Sequence, residues 1–579
     1  MKKISLILLV LANTVVFAQQ EETKEKTKGN FFGGFESNSQ WYTNDKEREI
    51  DHPEDPFRSN NYLNLNYNYG KWTAGIQGEA YVPNALLNYN PKYDETNVAT
   101  YYVNYKSTKL DVTAGYFYEQ FGSGLLLRSW EDRSLGINNA IRGGKVTYTP
   151  TNNLLFTALY GRHRTGFDVA EGDIYGFNSD INLFKMLNVE GSDLSLGFSY
   201  VGRYENTNVV NPNFDKLTNA YAGRISFSKN NFYASTEYNY KSDDAIIFET
   251  TLKNDFIKPG SAFLLNFGYS KKGFGIDANF RRIENMAFYS ERIPESYASG
   301  VTSSNSFNYN DKIMNFVPSL TKQHHFNLAN IYVFQAQSKV SIDPTTDTGK
   351  AGEIGGQIDL FYDFAKGTKL GGKYGTKLAV NFSNFSNLKG DYDLDAPNYD
   401  TDFLGFGNKY FSDLNIEVSK KLNSSTTTTF AYINQYYNAR YINGAFSAPT
   451  VNTHILAAEL DYKFSKGRAT KIAVEHMWAD TDRKNWAAIL LEYNINTKFS
   501  VFASDMFNYG YKHEPSILID AETDKFDIHF YNFGGAYKQG STRIALNYGR
   551  QRGGLVCAGG VCRFVPPSTG LGITLTRSF

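Results

Sequence analysis

The chain has 579 residues with equal numbers of basic and acidic side chains, 59 of each, so no cationic excess points toward nucleic acid. It is aromatic-rich at 16% yet polar on average, with a mean hydropathy of −0.44, 49 glycines and only 15 prolines. Beyond the N-terminus no apolar run reaches the roughly 18 residues that a spanning helix needs, which excludes a helical membrane protein and leaves a chain that alternates apolar and polar residues strand by strand.

The first element is a leader, residues 1–18. Lys2 and Lys3 carry its charge, Ile4 to Phe17 form an apolar stretch too short for a permanent span, and Val16 and Ala18 suit cleavage before Gln19. No cysteine follows the cut, so no lipoprotein anchor is expected. Residues 19–29 read as a short charged periplasmic tail.

From residue 30 to 579 the pattern is all-β and predicts one transmembrane antiparallel β-barrel. Residues 61–69 set Leu63, Leu65, Tyr67 and Tyr69 on one face and Tyr62, Asn64, Asn66 and Asn68 on the other, the period of two that a strand imposes. The same alternation places Asp277, Asn279 and Arg281 opposite Ile276, Ala278 and Phe280, and Arg543 and Asn547 opposite Ile544, Leu546 and Tyr548. Those five polar residues are expected to face the lumen. His476, alternating with Val474 and Trp478, goes on the lipid face. Strands of about 9–11 residues match the tilted span of a hydrocarbon core. Tight turns such as Gly70-Lys71 and Gln539-Gly540 alternate with long polar segments, the layout of a barrel with short turns on one side and long loops on the other.

Counting from the N-terminus gives 13 strands up to about Met286, and counting back from Phe579 gives 12 down to about Asn327. The two counts clash in direction unless one more strand lies within 311–322, so a closed barrel of about 26 strands is expected, within a range of 24 to 28. The final strand, residues 569–579, carries Leu571, Ile573, Leu575 and the terminal Phe579 on one face with Arg577. It resembles the C-terminal strand that outer-membrane assembly machinery reads, except that Arg577 replaces an apolar residue; a long cationic side chain at a headgroup level can snorkel.

Three segments, Phe121-Gly122-Ser123-Gly124-Leu125 with Glu131-Asp132-Arg133, Gly371-Gly372-Lys373-Tyr374-Gly375, and Gly553-Gly554-Leu555-Val556-Cys557 through Cys562-Arg563, make the mature chain resemble an uncharacterised outer-membrane β-barrel family of the Bacteroidota. The resemblance implies the fold and the cell outer membrane as its place, and brings no substrate and no catalytic residues.

Cys557 and Cys562 are the only cysteines, and in an exported chain such a pair reads as a disulfide, with a redox pair or two metal ligands as the alternatives. Segment 120–143 combines glycine hinges with Arg128, Glu131, Asp132, Arg133 and Arg142, and reads either as a loop folded into the lumen or as a solvated loop held by its own ion pairs. Segment 284–324, with Pro294, Glu295 and Tyr297, reads as a lid, a plug or a surface loop. Asp391, Asp393, Asp395, Asp400 and Asp402 form an acidic loop, but Ala396 and Asp402 stand where a calcium loop has Gly and Glu. The eight histidines are scattered and no nucleophile or zinc motif occurs, so neither an enzyme nor a bound cofactor or metal is expected. The expected function is a channel or transport barrel whose lumen is partly occluded by an inward-folded loop. A non-catalytic subunit of a larger secretion or assembly complex is the alternative. The expected partners are outer-membrane lipid, the assembly machinery and other envelope proteins.

Overall fold

The computed structural model describes residues 28–90, 92–206, 215–248, 251–292, 312–343, 347–395, 398–443, 448–510 and 527–579. The leader at 1–18, most of the tail, and Pro294, Glu295, Tyr297 and Ala396 lie outside them.

Among the described residues the wall is a closed antiparallel barrel of 24 strands, with one further two-residue strand, Asp168–Val169, beside it. In chain order the wall strands are β1 (Asn30–Thr43), β2 (Phe57–Tyr69), β3 (Trp72–Tyr81), β4 (Thr96–Lys106), β5 (Leu110–Phe117), β6 (Ile141–Thr151), β7 (Leu154–Thr165) and β8 (Asp173–Asn182). Then come β9 (Ser192–Tyr204), β10 (Leu217–Lys229), β11 (Phe232–Phe248), β12 (Thr251–Lys271), β13 (Phe274–Glu284), β14 (Gly352–Phe364), β15 (Thr376–Asp393) and β16 (Asn398–Lys421). The wall ends with β17 (Thr426–Asn438), β18 (Thr450–Ser465), β19 (Arg468–Ala479), β20 (Trp486–Asn494), β21 (Phe499–Asn508), β22 (His529–Gln539), β23 (Thr542–Gln551) and β24 (Ser568–Ser578).

Each strand pairs with its sequence neighbours, and β24 returns to β1 with Thr569 opposite Thr43 and Arg577 opposite Phe35. Phe579 extends this seam: its amide and carbonyl exchange hydrogen bonds with Gly33 at 3.0 and 2.9 Å. Leu571, Ile573 and Leu575 lie opposite Trp41, Ser39 and Ser37 on the outward face.

The outward surface shows why this cylinder belongs in a membrane. Phe31 and Trp41 project outward ten residues apart on β1, 72% and 55% exposed, and each meets an aromatic residue of β2: Tyr67 at 4.5 Å and Phe57 at 6.4 Å. Ten residues span about 33 Å along a strand, or about 25 Å of height at a tilt of about 40°, which is the separation of two aromatic girdles around an apolar band. The lower girdle continues through Trp72 and Tyr105, Phe232 and Phe267, Tyr269 and Phe274, and Tyr462 and Phe464 beside the short turns. The upper one runs through Tyr101 and Tyr116, Tyr200 and Tyr221, and His476 tilted against Trp478 at 4.0 Å.

The strand count corrects the sequence reading at one place. Thirteen strands precede Glu284, as counted, but eleven follow Gly352, not twelve plus a missing one. Neither 312–322 nor 326–335 enters the wall. In the second stretch Phe326, Leu328, Ala329, Tyr332 and Phe334 are all buried, so this run has no polar face to give a lumen and no single face to give to lipid. It is apolar because it is the interior of a separate packed body. A one-turn 3-10 helix at Leu328–Asn330 interrupts it.

Burial along the inward face shows where that body sits. On β20, Trp486 and Ala488 are buried while Glu492 and Asn494, on the same face near the short-turn end, are exposed. On β18, Val451 through Ala457 are buried on the inward face and Lys463 and Ser465 are exposed. The lumen is filled at the long-loop end and open, with polar walls, at the other.

An outward residue at mid-band tests the assignment of faces. Ile489→Arg on β20 is expected to cost about 2–4 kcal/mol of stability in lipid vesicles, measured by urea unfolding, whereas arginine at the inward-facing Glu492 should change little.

Candidate functional site

The filled part of the lumen is built by three insertions between consecutive strands. The first joins β5 to β6 (residues 118–140), the second joins β13 to β14 (285–351), and the third joins β23 to β24 (552–567).

The first insertion folds as two minimal pairings, Gln120–Phe121 with Leu127–Arg128 and Glu131–Asp132 with Ile137–Asn138. Its turn needs glycine at Gly122, where φ is +54° and a Cβ would lie 2.5 Å from the Arg224 side chain. The tight approach lets the Ser123 amide donate to Glu237 on β11 at 3.0 Å. Arg133 donates to Glu131 (2.9 Å) and to Glu36 on β1 (2.6 Å) and lies 4.3 Å over the Tyr62 ring, while Glu131 accepts from Gln77 on β3. Arg128 is clamped between Trp130 at 4.5 Å and Phe316 of the second insertion at 3.8 Å. Asp132 acts locally, accepting from Ser134 and from the Leu135 amide.

The fold turns Arg128, Glu131 and Arg133, all within segment 120–143, toward the inner wall. Arg142 is different. It is the second residue of β6, opposite Arg162, and is exposed on the outward face, because Ile141 takes the inward position and the period of two sends the next side chain to the other side. It lines no pore.

The second insertion meets the first through its backbone: the Arg128 amide donates to Met314 and the Phe316 amide to Gly124, both at 2.8 Å. Asn315 then donates to the carbonyls of Leu125 and Met286. From there residues 318–337 cross the lumen as a strap, held at each step by an inward wall residue. Arg281 on β13 donates to the Pro318 carbonyl at 2.6 Å and pairs with Glu353 on β14, which also accepts the Gln337 amide. His324 bonds Asp413 on β16 at 2.8 Å, and Gln435 on β17 donates to Asp413 and to the Ala329 carbonyl. Glu475 on β19 accepts the amides of Asn327 and Leu328 at 2.9 and 2.8 Å. Phe334 stacks on Phe385 and Phe411 of the wall at 5.2 and 5.3 Å.

The third insertion is the hairpin Gly554–Ala558 with Val561–Val565, closed by the Cys557–Cys562 disulfide. Its tip carbonyl at Gly560 accepts the Ser319 amide at 2.7 Å, and Arg563 donates to the Leu87 and Ser134 carbonyls, so the hairpin touches the strap, the first insertion and the loop after β3. Between strap, hairpin and wall lies a cavity of about 490 Å³ bordered by Lys322, His324, Phe334, Asp413, Met506 and Arg552.

Buried charge does much of the fastening. Arg164 makes a bidentate pair with Glu79 at 2.6 and 3.0 Å, both fully buried, and Asp244 accepts from Arg203 and Arg292 at 2.9 and 2.8 Å. Removing one partner of such a pair costs about 3–5 kcal/mol; Asp244 with Arg292 fixes the second insertion to the wall, whereas Arg164 with Glu79 ties β7 to β3. The sequence reading named Arg281 among the lumen residues but not Glu353, Asp413 or Glu475. The available signal was an acid at an inward position within an otherwise apolar stretch, as in Ala473-Val474-Glu475.

The other expected lumen residues lie apart from this body. Asp277 and Asn279 face inward on β13, with Asp277 opposite Asp359. Asn547 contacts Asn532 across β22 and β23, and Arg543 is exposed near the short-turn end. In the acidic loop Asp391 is paired with Asp400 in the hairpin of β15 and β16, and among the described residues no three His, Cys, Asp or Glu side chains converge on a metal position.

The chain belongs to a family of unknown function (DUF6029), whose model matches residues 1–579. No curated protein matches it in sequence. Among solved structures it is similar to the copper transporter OprC at 10% identity, covering 97% of this chain and 82% of that one with a TM-score of 0.41. It is similar to OccK3 (OpdO) of Pseudomonas aeruginosa at 10% identity, with 78% and 96% covered and a TM-score of 0.36. The P pilus usher (PapC) translocation pore aligns at 8% identity over 95% and 99%, with a TM-score of 0.38.

The Glu475 contact offers a local test. Glu475→Ala leaves two strap amides without their acceptor, so hydrogen exchange at residues 326–334 is expected to accelerate at least tenfold while the wall strands keep their protection.

Proposed function

Taking the chain as a member of that family of unknown function, we propose that it is an outer-membrane transport barrel kept closed at rest by its own insertions. The observation that carries this is the division of the lumen: a polar chamber open at the short-turn end, capped by a strap bonded to inward residues of β13, β14, β16, β17 and β19. A 24-strand cylinder without filling would leave a wide aqueous hole, since the bore grows with strand number. The strap removes the hole while hydrogen bonds and ion pairs, rather than a continuous sheet, hold it in place. Such contacts can exchange for water without opening the wall. The outward girdles, the seam at Phe579 and the leader read from the sequence support the outer membrane as the location, with the short turns on the periplasmic side. The motifs that resemble Bacteroidota barrels support that group as the source.

A second reading, a subunit of a larger envelope complex, is favoured by one observation. β15 and β16 run for 18 and 24 residues, well beyond the band that the girdles delimit, and carry Phe403, Leu404 and Phe406 exposed at 52%, 63% and 53%.

Planar-bilayer recording separates the two. The transport reading expects small, infrequent conductance from the full chain and large stable channels after residues 318–337 are replaced by a short Gly-Ser linker. A linker variant that stays silent while folded would refute the strap as the closure.

A further inference from the structure

Arg142, which does not face the lumen, belongs to a row of side chains on the outer surface. Reading across neighbouring strands, Tyr101 on β4 packs against Tyr116 on β5 at 5.4 Å, Tyr116 stands opposite Arg142 on β6, and Arg142 stands opposite Arg162 on β7. Arg162 pairs with Asp173 on β8 at 2.6 Å. Like charges directly opposed across a sheet repel, so a row that sets two guanidinium groups side by side on one face is unfavourable unless an anion lies between them. Asp173 answers one of the two. Arg142, which stands opposite Tyr116, has no carboxylate partner among the described residues.

The row below supplies a floor. On the same face Ala114 stands opposite Gly144, Gly144 opposite Tyr160, and Tyr160 opposite Tyr175, with the two tyrosine rings 5.2 Å apart. A Cβ added at Gly144 would meet nothing nearer than the Thr113 carbonyl oxygen at 3.9 Å. Two small residues between Val103 on β4 and the Tyr160 ring on β7 thus leave a shallow apolar groove below the arginines.

Height completes the site. Arg162 lies eight residues above Leu154 at the short turn, about 26 Å along the strand and about 20 Å of height at a tilt of about 40°. That places the arginines where the apolar band meets the headgroups on the long-loop side. Just above them β7 bends inward, since Arg164, two residues on, is buried against Glu79 in the lumen.

We infer that Arg142 and Arg162 bind the phosphate of an anionic lipid of the external leaflet, with one of its acyl chains lying in the Ala114–Gly144 groove. Paired guanidinium groups match phosphate oxygens in bidentate geometry, and desolvation at the edge of the hydrocarbon strengthens the contact. The site rests on the reading of the barrel as an outer-membrane protein with its long loops outward. It does not depend on what the lumen conducts.

Native mass spectrometry of the full chain in detergent tests it, with diphosphorylated lipid A as the probe. The same lipid stripped of phosphate and inorganic phosphate alone serve as the other arms. The expected result is one tightly retained lipid A per barrel, weakened roughly tenfold or more by Arg142→Gln with Arg162→Gln. Gly144→Phe, which blocks the groove and keeps both charges, should weaken it as well. Arg577→Gln, at the opposite edge of the band, should leave it unchanged. All of these positions face lipid, and heat-modifiable migration on gels confirms that each variant folds. Unchanged affinity in the double arginine variant, equal retention of the phosphate-free lipid, or equal affinity for inorganic phosphate would each overturn the inference. None of these readouts uses conductance, so failure here leaves the transport reading untouched, and a silent strap-replacement variant leaves the lipid site untouched.

Discussion

A backbone inside hydrocarbon has no water to bond, so every amide and carbonyl in the spanning region must find a partner within the protein. That constraint organises the rest of this molecule. A sheet satisfies it only by closing, and here closure depends on one seam, where β24 meets β1 and Phe579 adds a final pair of bonds to Gly33. Closure with 24 strands fixes a wide bore, and a wide bore in a barrier membrane is a problem of its own. The chain answers it with peptide that is not part of the sheet. Once off the wall, the insertions lose ladder partners, so their amides turn to side chains: Glu237 for Ser123, Glu353 for Gln337 and Glu475 for Asn327 and Leu328.

This accounts for buried inward charges such as Arg281, Glu353 and Glu475 in a surface that needs only to be polar. Carboxylates are strong acceptors for backbone amides, and guanidinium groups are strong donors to backbone carbonyls. Arg281 and Glu353 combine the two: Arg281 donates to the Pro318 carbonyl and to Glu353, and Glu353 accepts the Gln337 amide. The apolar part of the plug follows the same logic. Phe326, Leu328, Tyr332 and Phe334 form a small globular core with inward wall residues such as Ile433, Ile455 and Trp486, positions that would face water in an open channel.

Much of this architecture is legible in the amino-acid order, because a period of two is imposed by the geometry of the strand itself. It is clear in Leu63 to Tyr69 and in Ile276 to Arg281. Arg281 was placed in the lumen by that rule, and the rule, applied two residues past the end of the 118–140 insertion, also assigns Arg142 to the outside. The failure at 311–335 has a definite physical origin. A count of strands assumes that every apolar stretch of suitable length belongs to the wall, and an apolar stretch that packs against the wall from within has the same composition. What distinguishes it, the packing of its large side chains against the inner wall, depends on residues more than 70 positions away, such as Phe411 and Trp486. The partners of the strap were illegible for the same reason: Glu475 is recognisable as an odd acid in an apolar run, but nothing local shows which amides it accepts.

The strap enters from β13 and leaves into β14, two strands that lie side by side in the wall. Both of its covalent attachments are therefore on one sector of the rim, and every other hold, at β16, β17 and β19 and at the disulfide hairpin, is non-covalent. Mechanically this is a flap and not a cork. It can never leave the cylinder as a separate body, and a pull on it from below would swing it about the β13–β14 sector. The first free passage would then open at its most distant holds, near β19 and the β23–β24 hairpin, and solutes would meet the β13–β14 wall only after the flap had turned through its full travel.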